Sequence, residues 1–461
     1  MLQAKIVSRR TGPELEQHLE FRDFSPPAEP TLNVQRDALQ KGLGRAMQWA
    51  RAGRLSKDAL LEACLHEQRI DIQCEENRGE WLWNVAQAAG AIEYLREPIL
   101  EAFRSLSNER DAYQMCVLAG QFAHWGDGRF VDAIYDIVER RPFALKYPSI
   151  GEGQLMDIAG EPGLLFIAGI RGRLLRERSW EWDDGAIVDW AIEQFGEDRT
   201  AEVLQASDDS DVRRFFGVWK NQVSVEPASP GSSLVDQLRT ASALDAIADA
   251  RTTGNRFRMR TWAKYAKADD LKLVMNHLWV EEDPAALAKL LRIFWGGPLP
   301  EFDKRLIGLC GHEHEQVRRA AYYALAENRH PKIREFALQR LDKLTGELPV
   351  LRLLTKNYEP GDEQRILAAI QPSDDISFLH WLILDLLNVI EANPDSDSSQ
   401  LGIAVYALSP CANCRNRAVE LMVEEGVAPD WLLEECRDDS EEDCRKVVSE
   451  QNTPPDGQQS A

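Results

Sequence analysis

The chain lacks an apolar run of bilayer length: its longest uncharged apolar stretches, residues 163–170 and 376–384, fall far below the roughly 20 residues of a spanning helix. Its opening segment, Met1 to Arg10, has no apolar core of the kind a secretory signal carries, and no lipidation pattern follows. A cytoplasmic protein with no membrane partner is the expectation. Cysteine is sparse, eight in 461 residues without a regular framework, which fits a reducing compartment where thiols mostly serve as small buried hydrophobes. Basic charge is in deficit. The 54 Lys and Arg stand against 76 Asp and Glu, and a net charge of −22 repels a polyphosphate backbone at long range. Also missing are the phosphate-cradling Gly-x4-Gly-Lys-Ser/Thr loop, the Gly-x-Ser-x-Gly elbow and the His-Glu-x-x-His helix. No catalytic residue is therefore assigned from the sequence.

What is present reads as helix. With 44% hydrophobic and 28% charged residues the chain is not disordered as a whole, and its length admits two or three domains or one extended array. Residues 1–35 form an irregular lead-in, because Pro26, Pro27 and Pro30 remove backbone donors and fix φ. Residues 36–222 form an N-terminal helical lobe, opened by an apolar face through Ala38, Leu39, Leu43, Ala46, Met47 and Ala50 that ends near Gly53. Inside this lobe, 146–172 holds Pro148, Gly151, Gly153, Gly160, Pro162, Gly163, Gly169 and Gly172, which predicts a long structured loop beside one buried helix. The same glycines suit turns and tight helix packing. A linker at 223–233, with Pro227, Pro230 and Gly231, precedes a C-terminal helical lobe at 234–450, and 451–461 reads as a disordered tail.

Repetition is the strongest signal. The run Glu313-His314-Glu315-Gln316-Val317-Arg318-Arg319-Ala320-Ala321 is followed closely by His330-Pro331-Lys332-Ile333-Arg334-Glu335-Phe336-Ala337-Leu338. Asp211-Val212-Arg213-Arg214 echoes the first, and weaker echoes stand at Met259-Arg260, Cys414-Arg415 and Cys444-Arg445. A polar residue caps the helix start, the aliphatic residue points inward, and the Arg lies at the rim where it can bridge to a neighbouring acid. Over about residues 284–345 this pattern resembles the HEAT-repeat family. The resemblance implies an all-α, HEAT-like array of helical hairpins, an α-solenoid in two lobes, whose concave face holds a protein partner. Residues 71–78 and 111–116 depart from the pattern.

Three groups of residues carry candidate chemistry. Cys411, Cys414, Cys436 and Cys444 fall near the C-terminus, and a Cys-x-x-Cys pair with two more thiols suggests a zinc site. The spacing of the second pair lacks the short knuckle, and Cys414 and Cys444 share the inward register of Val212 and Val317, so buried core thiols are the leading account. A redox role at a helix start is the other alternative. Cys310, His312 and His314 stand at alternate positions that converge on one metal only in an extended segment, and with a helix about to begin they read as an ordinary polar turn between helices. The basic stretch Arg256, Arg258, Arg260, Lys264, Lys267 and Lys272, interleaved with Trp262 and Tyr265, could grip phosphate, although helical phase makes it a solvated face beside a buried Trp.

Of the thirteen Trp, most sit in apolar helical phase and read as core. Trp180 and Trp182, among charges, are the candidates for an exposed interface. The sequence thus favours a non-catalytic interaction scaffold with a basic or neutral protein partner, contacted through Arg256, Arg258, Arg260, Lys264, Trp180 and Trp182. The alternatives are an enzyme or modifying factor with its site in 146–172 or at the C-terminal thiols, and nucleic-acid binding through 255–272.

Overall fold

The computed structural model describes residues 24–72, 74–142, 150–177, 185–222, 234–252, 256–295, 297–341, 349–370, 375–394, 396 and 399–450. Among these the chain forms 26 α-helices and no strand. The all-α expectation therefore holds. No described helix is long and apolar enough to cross a membrane. The chain makes two compact units, one of Pro26–Ala228 with Glu435–Glu442, the other built mainly from Ser229–Glu434. The linker at 223–233 and the tail at 451–461 lie outside the described residues.

In the first unit, the proline-rich lead-in ends at Thr31, whose side chain caps the helix Leu32–Lys41. The apolar face expected to run unbroken to Gly53 is divided between this helix and Arg45–Arg51. All six of its residues, Ala38 to Ala50, are buried, so the phase was right and the continuity was not. Gly42 breaks the helix in the left-handed region at φ 76, which a side chain would resist. The described residues of 71–78, which match no repeat, form turns held by the buried pairs Glu67–Arg69 and Glu75–Arg78.

In the glycine-rich insert the expected buried helix is present, but the described part beside it is helical too and not a loop. Its described part folds into the helices Glu152–Ala159 and Glu161–Glu177. Two of the glycines permit close approach between helix backbones: a Cβ at Gly172 would lie 1.8 Å from the carbonyl oxygen of Asp211, and one at Gly163 would lie 2.8 Å from that of Leu155. Arg171 on the second helix meets Glu152 on the first at 2.6 Å, with both side chains buried.

The segment Glu435–Glu442 joins this unit from almost 400 positions further along the chain. Arg45 donates to both carboxylate oxygens of Glu435, at 2.7 and 2.8 Å, in a buried bidentate pair. Arg51 makes a second bidentate pair with Asp438, and the Trp81 indole donates to the Asp438 carbonyl at 2.8 Å. The turn at Gly42 and Gly44 admits the segment: a Cβ at Gly44 would stand 1.9 Å from the Glu435 carbonyl oxygen, and one at Gly42 2.0 Å from the Ser440 hydroxyl.

In the second unit, the inward register read from the repeats is present. Val317 and Ile333 are fully buried, as are Met259 and Cys444 to within a percent. The arginines divide. Arg334 reaches out to Asp362 at 2.9 Å, which holds its guanidinium above the ordinary pKa, whereas Arg318 donates to the carbonyls of His312 and Glu313 in its own preceding turn. Successive elements are tied by the asparagines Asn328, Asn357 and Asn393. Asn328 accepts from the Leu299 amide, Asn357 accepts from the His330 amide and donates to the Asn328 carbonyl, and Asn393 donates to the Thr355 carbonyl. These bonds satisfy backbone groups that the helix ends leave open.

Glu435→Ala strips a buried guanidinium of its carboxylate and should lower the unfolding free energy of its unit by about 3–5 kcal/mol, measured by urea titration followed by tryptophan fluorescence. Gly44→Ala, which alters no charge, should destabilise the same transition. A loss below about 1 kcal/mol for both would mean that the docked segment contributes little.

Candidate functional site

Seven of the thirteen tryptophans decide where the surface is unusual. Trp49, Trp81, Trp83 and Trp262 are buried, but Trp125, Trp190 and Trp381 are exposed, the last two at 50% and 55%. Each of these two lines a cleft.

The cleft in the first unit has a volume of about 410 Å³. Trp190 comes from the helix Ala186–Phe195, which buries Ile187, Val188 and Ala191 and so turns Trp190 outward. The indole lies directly over Gly153 at the start of the insert; a Cβ there would be 2.0 Å from the ring. Glycine is thus needed for the ring to lie flush with the helix start. Around it stand Glu80, Asp157 and Glu193, all exposed, with His124 bonded to Asp157 at 3.1 Å. Among the described residues no Lys or Arg lines the cleft. An aromatic face beside carboxylates, without a competing cation, attracts a positive group by both quadrupole and charge.

The cleft in the second unit, about 300 Å³, is lined by Tyr323, Phe378 and Trp381 with Arg319 and the rim acids Glu315 and Asp375. On its wall Asp385 is buried, and burial pushes its carboxyl up to about 6 against the opposing pull of Arg352 and Arg319. Arg352 lies 3.3 Å from that carboxylate and stands over the Tyr323 ring. Charges of both signs make this cleft less selective than the first. A shallower apolar depression in the same unit exposes Leu244, Leu273 and Val280.

The residues singled out from sequence fare differently. Trp180 and Trp182 lie outside the described residues, as does the side chain of Arg256. Arg258 is paired with Asp249 at 3.0 Å, while Arg260 and Lys264 are exposed. Trp262 is 2% exposed and donates its indole N–H to the Ala241 carbonyl at 2.9 Å, so it has no face to offer a base. Cys310 is buried and donates to Leu306, while His312 and His314 are solvent-facing loop residues that do not converge with it on a metal position.

All four C-terminal thiols are buried, but they do not gather as a quartet. Cys411 and Cys414 are joined instead by His380, with ligand atoms all within 4.8 Å of one another, the one such His, Cys or carboxylate group among the described residues. Cys436 and Cys444 are not members, and Cys436 belongs to the first unit. His380 escaped the sequence reading because it lies 31 positions upstream on a separate helix, Ile376–Glu391, with only an apolar context around it.

Because burial raises the folded pKa of Asp385 above the ordinary carboxylate value, its contribution favours folding most at low pH and is lost as pH rises through about 6. Asp385→Asn should remove that dependence. The gap in unfolding free energy between wild type and variant should change by roughly 2 kcal/mol between about pH 4 and about pH 7, with wild type losing ground as pH rises. Parallel urea titrations at the two pH values measure it, and a constant gap would contradict the assignment.

No protein-family model, no curated protein and no solved structure matches the chain.

Proposed function

We propose that the protein is a non-catalytic interaction scaffold: a HEAT-like array of helical hairpins in two lobes, acting in the cytoplasm, that takes Lys or Arg side chains of a protein partner into the Trp190 cleft. The observation that carries this reading is an indole half exposed over Gly153, ringed by Glu80, Asp157 and Glu193, with no Lys or Arg among the described lining and His124 held by Asp157. A large rigid aromatic at low entropic cost is the usual anchor of an interface. The net charge of −22 adds long-range attraction for a basic partner and repulsion of nucleic acid. The asparagine links and the inward register at Val317 and Ile333 are what support the repeat-array element of the reading. Against nucleic acid stand the burial of Trp262 and the pairing of Arg258.

Calorimetric titration with Lys- and Arg-containing peptides, beside neutral and acidic ones of equal length, tests the reading. Only the basic peptides should bind, more weakly as salt rises, and Trp190→Ala or Glu193→Lys should each weaken binding by about tenfold or more. Equal binding of acidic peptides, or affinity untouched by both substitutions, would refute the cleft.

A further inference from the structure

We infer that Cys411, Cys414 and His380 form a binding site for a thiolate-seeking divalent ion of the zinc type, with the fourth coordination position left to water or to a side chain from outside the chain. This goes beyond the scaffold reading and does not depend on it.

The placement is what separates these two thiols from the other buried ones. Cys64, Cys116 and Cys310 are buried thiols outside any ligand group, and burial pushes Cys64 up to about 12 and the other two further still. They behave as packing. Cys411 and Cys414 instead sit at the start of the helix Ala412–Glu424, Cys411 at the N-cap and Cys414 three residues on. That spacing puts both sulfurs on one face of the first turn, where the helix dipole favours thiolate. The loop leading in is fixed by Ser409, whose buried hydroxyl accepts from the Cys411 amide at 3.1 Å and donates to the Cys411 carbonyl at 2.9 Å. His380 arrives from the neighbouring helix Ile376–Glu391, half-buried where the two Cys are nearly fully buried.

Sulfur, sulfur and imidazole nitrogen within 4.8 Å of one another match a tetrahedral ion with metal–sulfur bonds near 2.3 Å and metal–nitrogen bonds near 2.0 Å. Two soft thiolates and one imidazole select zinc over magnesium or calcium. Binding displaces two thiol protons to solvent, with the imidazole entering as a neutral ligand, so charge and atoms balance without any redox partner. No fourth His, Cys, Asp or Glu joins the group among the described residues, and three protein ligands with a fourth position filled from elsewhere is an established zinc arrangement.

The test uses the full chain, reduced, purified without chelator and analysed for metal. About one zinc per chain is expected, falling below about 0.2 in Cys411→Ser and Cys414→Ser and unchanged in Cys436→Ser and Cys310→Ser. Since a cysteine variant can lose metal merely by losing its fold, cobalt(II) is also added to the unaltered metal-free chain. Thiolate-to-cobalt charge transfer with the visible bands of a tetrahedral ion is expected, and His380→Ala should keep the first while changing the second. Absence of both cobalt signals in the reduced chain would overturn the site, as would metal that stays bound when both Cys411 and Cys414 are replaced or that leaves with Cys436. A Cys411–Cys414 disulfide formed in place of metal uptake would likewise overturn it in favour of a redox pair.

Discussion

Burial of short helices against one another is the constraint on which this molecule depends. Most of its helices are shorter than the 12–15 residues at which an isolated helix becomes even marginally stable in water. Each must therefore gain its stability from neighbours, and the means of bringing neighbours close are visible throughout. Gly163 and Gly172 let backbones touch, Asn328 and Asn357 tie one helix end to the next, and buried Arg–carboxylate pairs such as Arg171–Glu152 lock helices across their contact. In a fold of this kind polar bonds at the helix ends matter as much as the apolar stripes, because every short helix has proportionally more open backbone groups.

This explains which parts of the fold were legible. Apolar phase is a local property, so the buried positions Ala38, Leu39, Val212, Val317 and Ile333 could be read directly. Where glycine and proline were taken as breakers, the reading failed. The insert at 146–172 read as a loop beside one buried helix, with glycines suited to turns and tight packing; its described part holds two helices, and the partner that Gly172 admits, Asp211, lies some forty positions away. The division at Gly42 was missed for the opposite reason: the periodicity continued across it, and the group it accommodates is supplied from residue 440. Both errors come from partners that are distant in sequence.

The sites show the same limit. Helical phase placed Trp190 and Trp381 in the core, yet a helix that covers only one side of its unit turns part of its apolar stripe outward, and the cleft beneath Trp190 requires Gly153 from another helix. Cys411 and Cys414 were recognised by spacing, which is local, while the third member, His380, was not. Arg415, in the register where the repeats place a rim arginine, is fully buried, a departure that spacing gave no hint of.

The docking of Glu435 onto Arg45 has a consequence for synthesis. A chain leaving the ribosome from its N-terminus exposes Arg45, Gly42 and Trp81 long before Glu435, Asp438 and Ser440 have been polymerised. At about 5–20 residues per second the interval is some tens of seconds, during which the guanidinium and the glycine turn have no cover from their own chain. This unit therefore cannot be completed until residues 435–442 have been translated, and premature termination anywhere before residue 435 leaves Arg45 without its carboxylate.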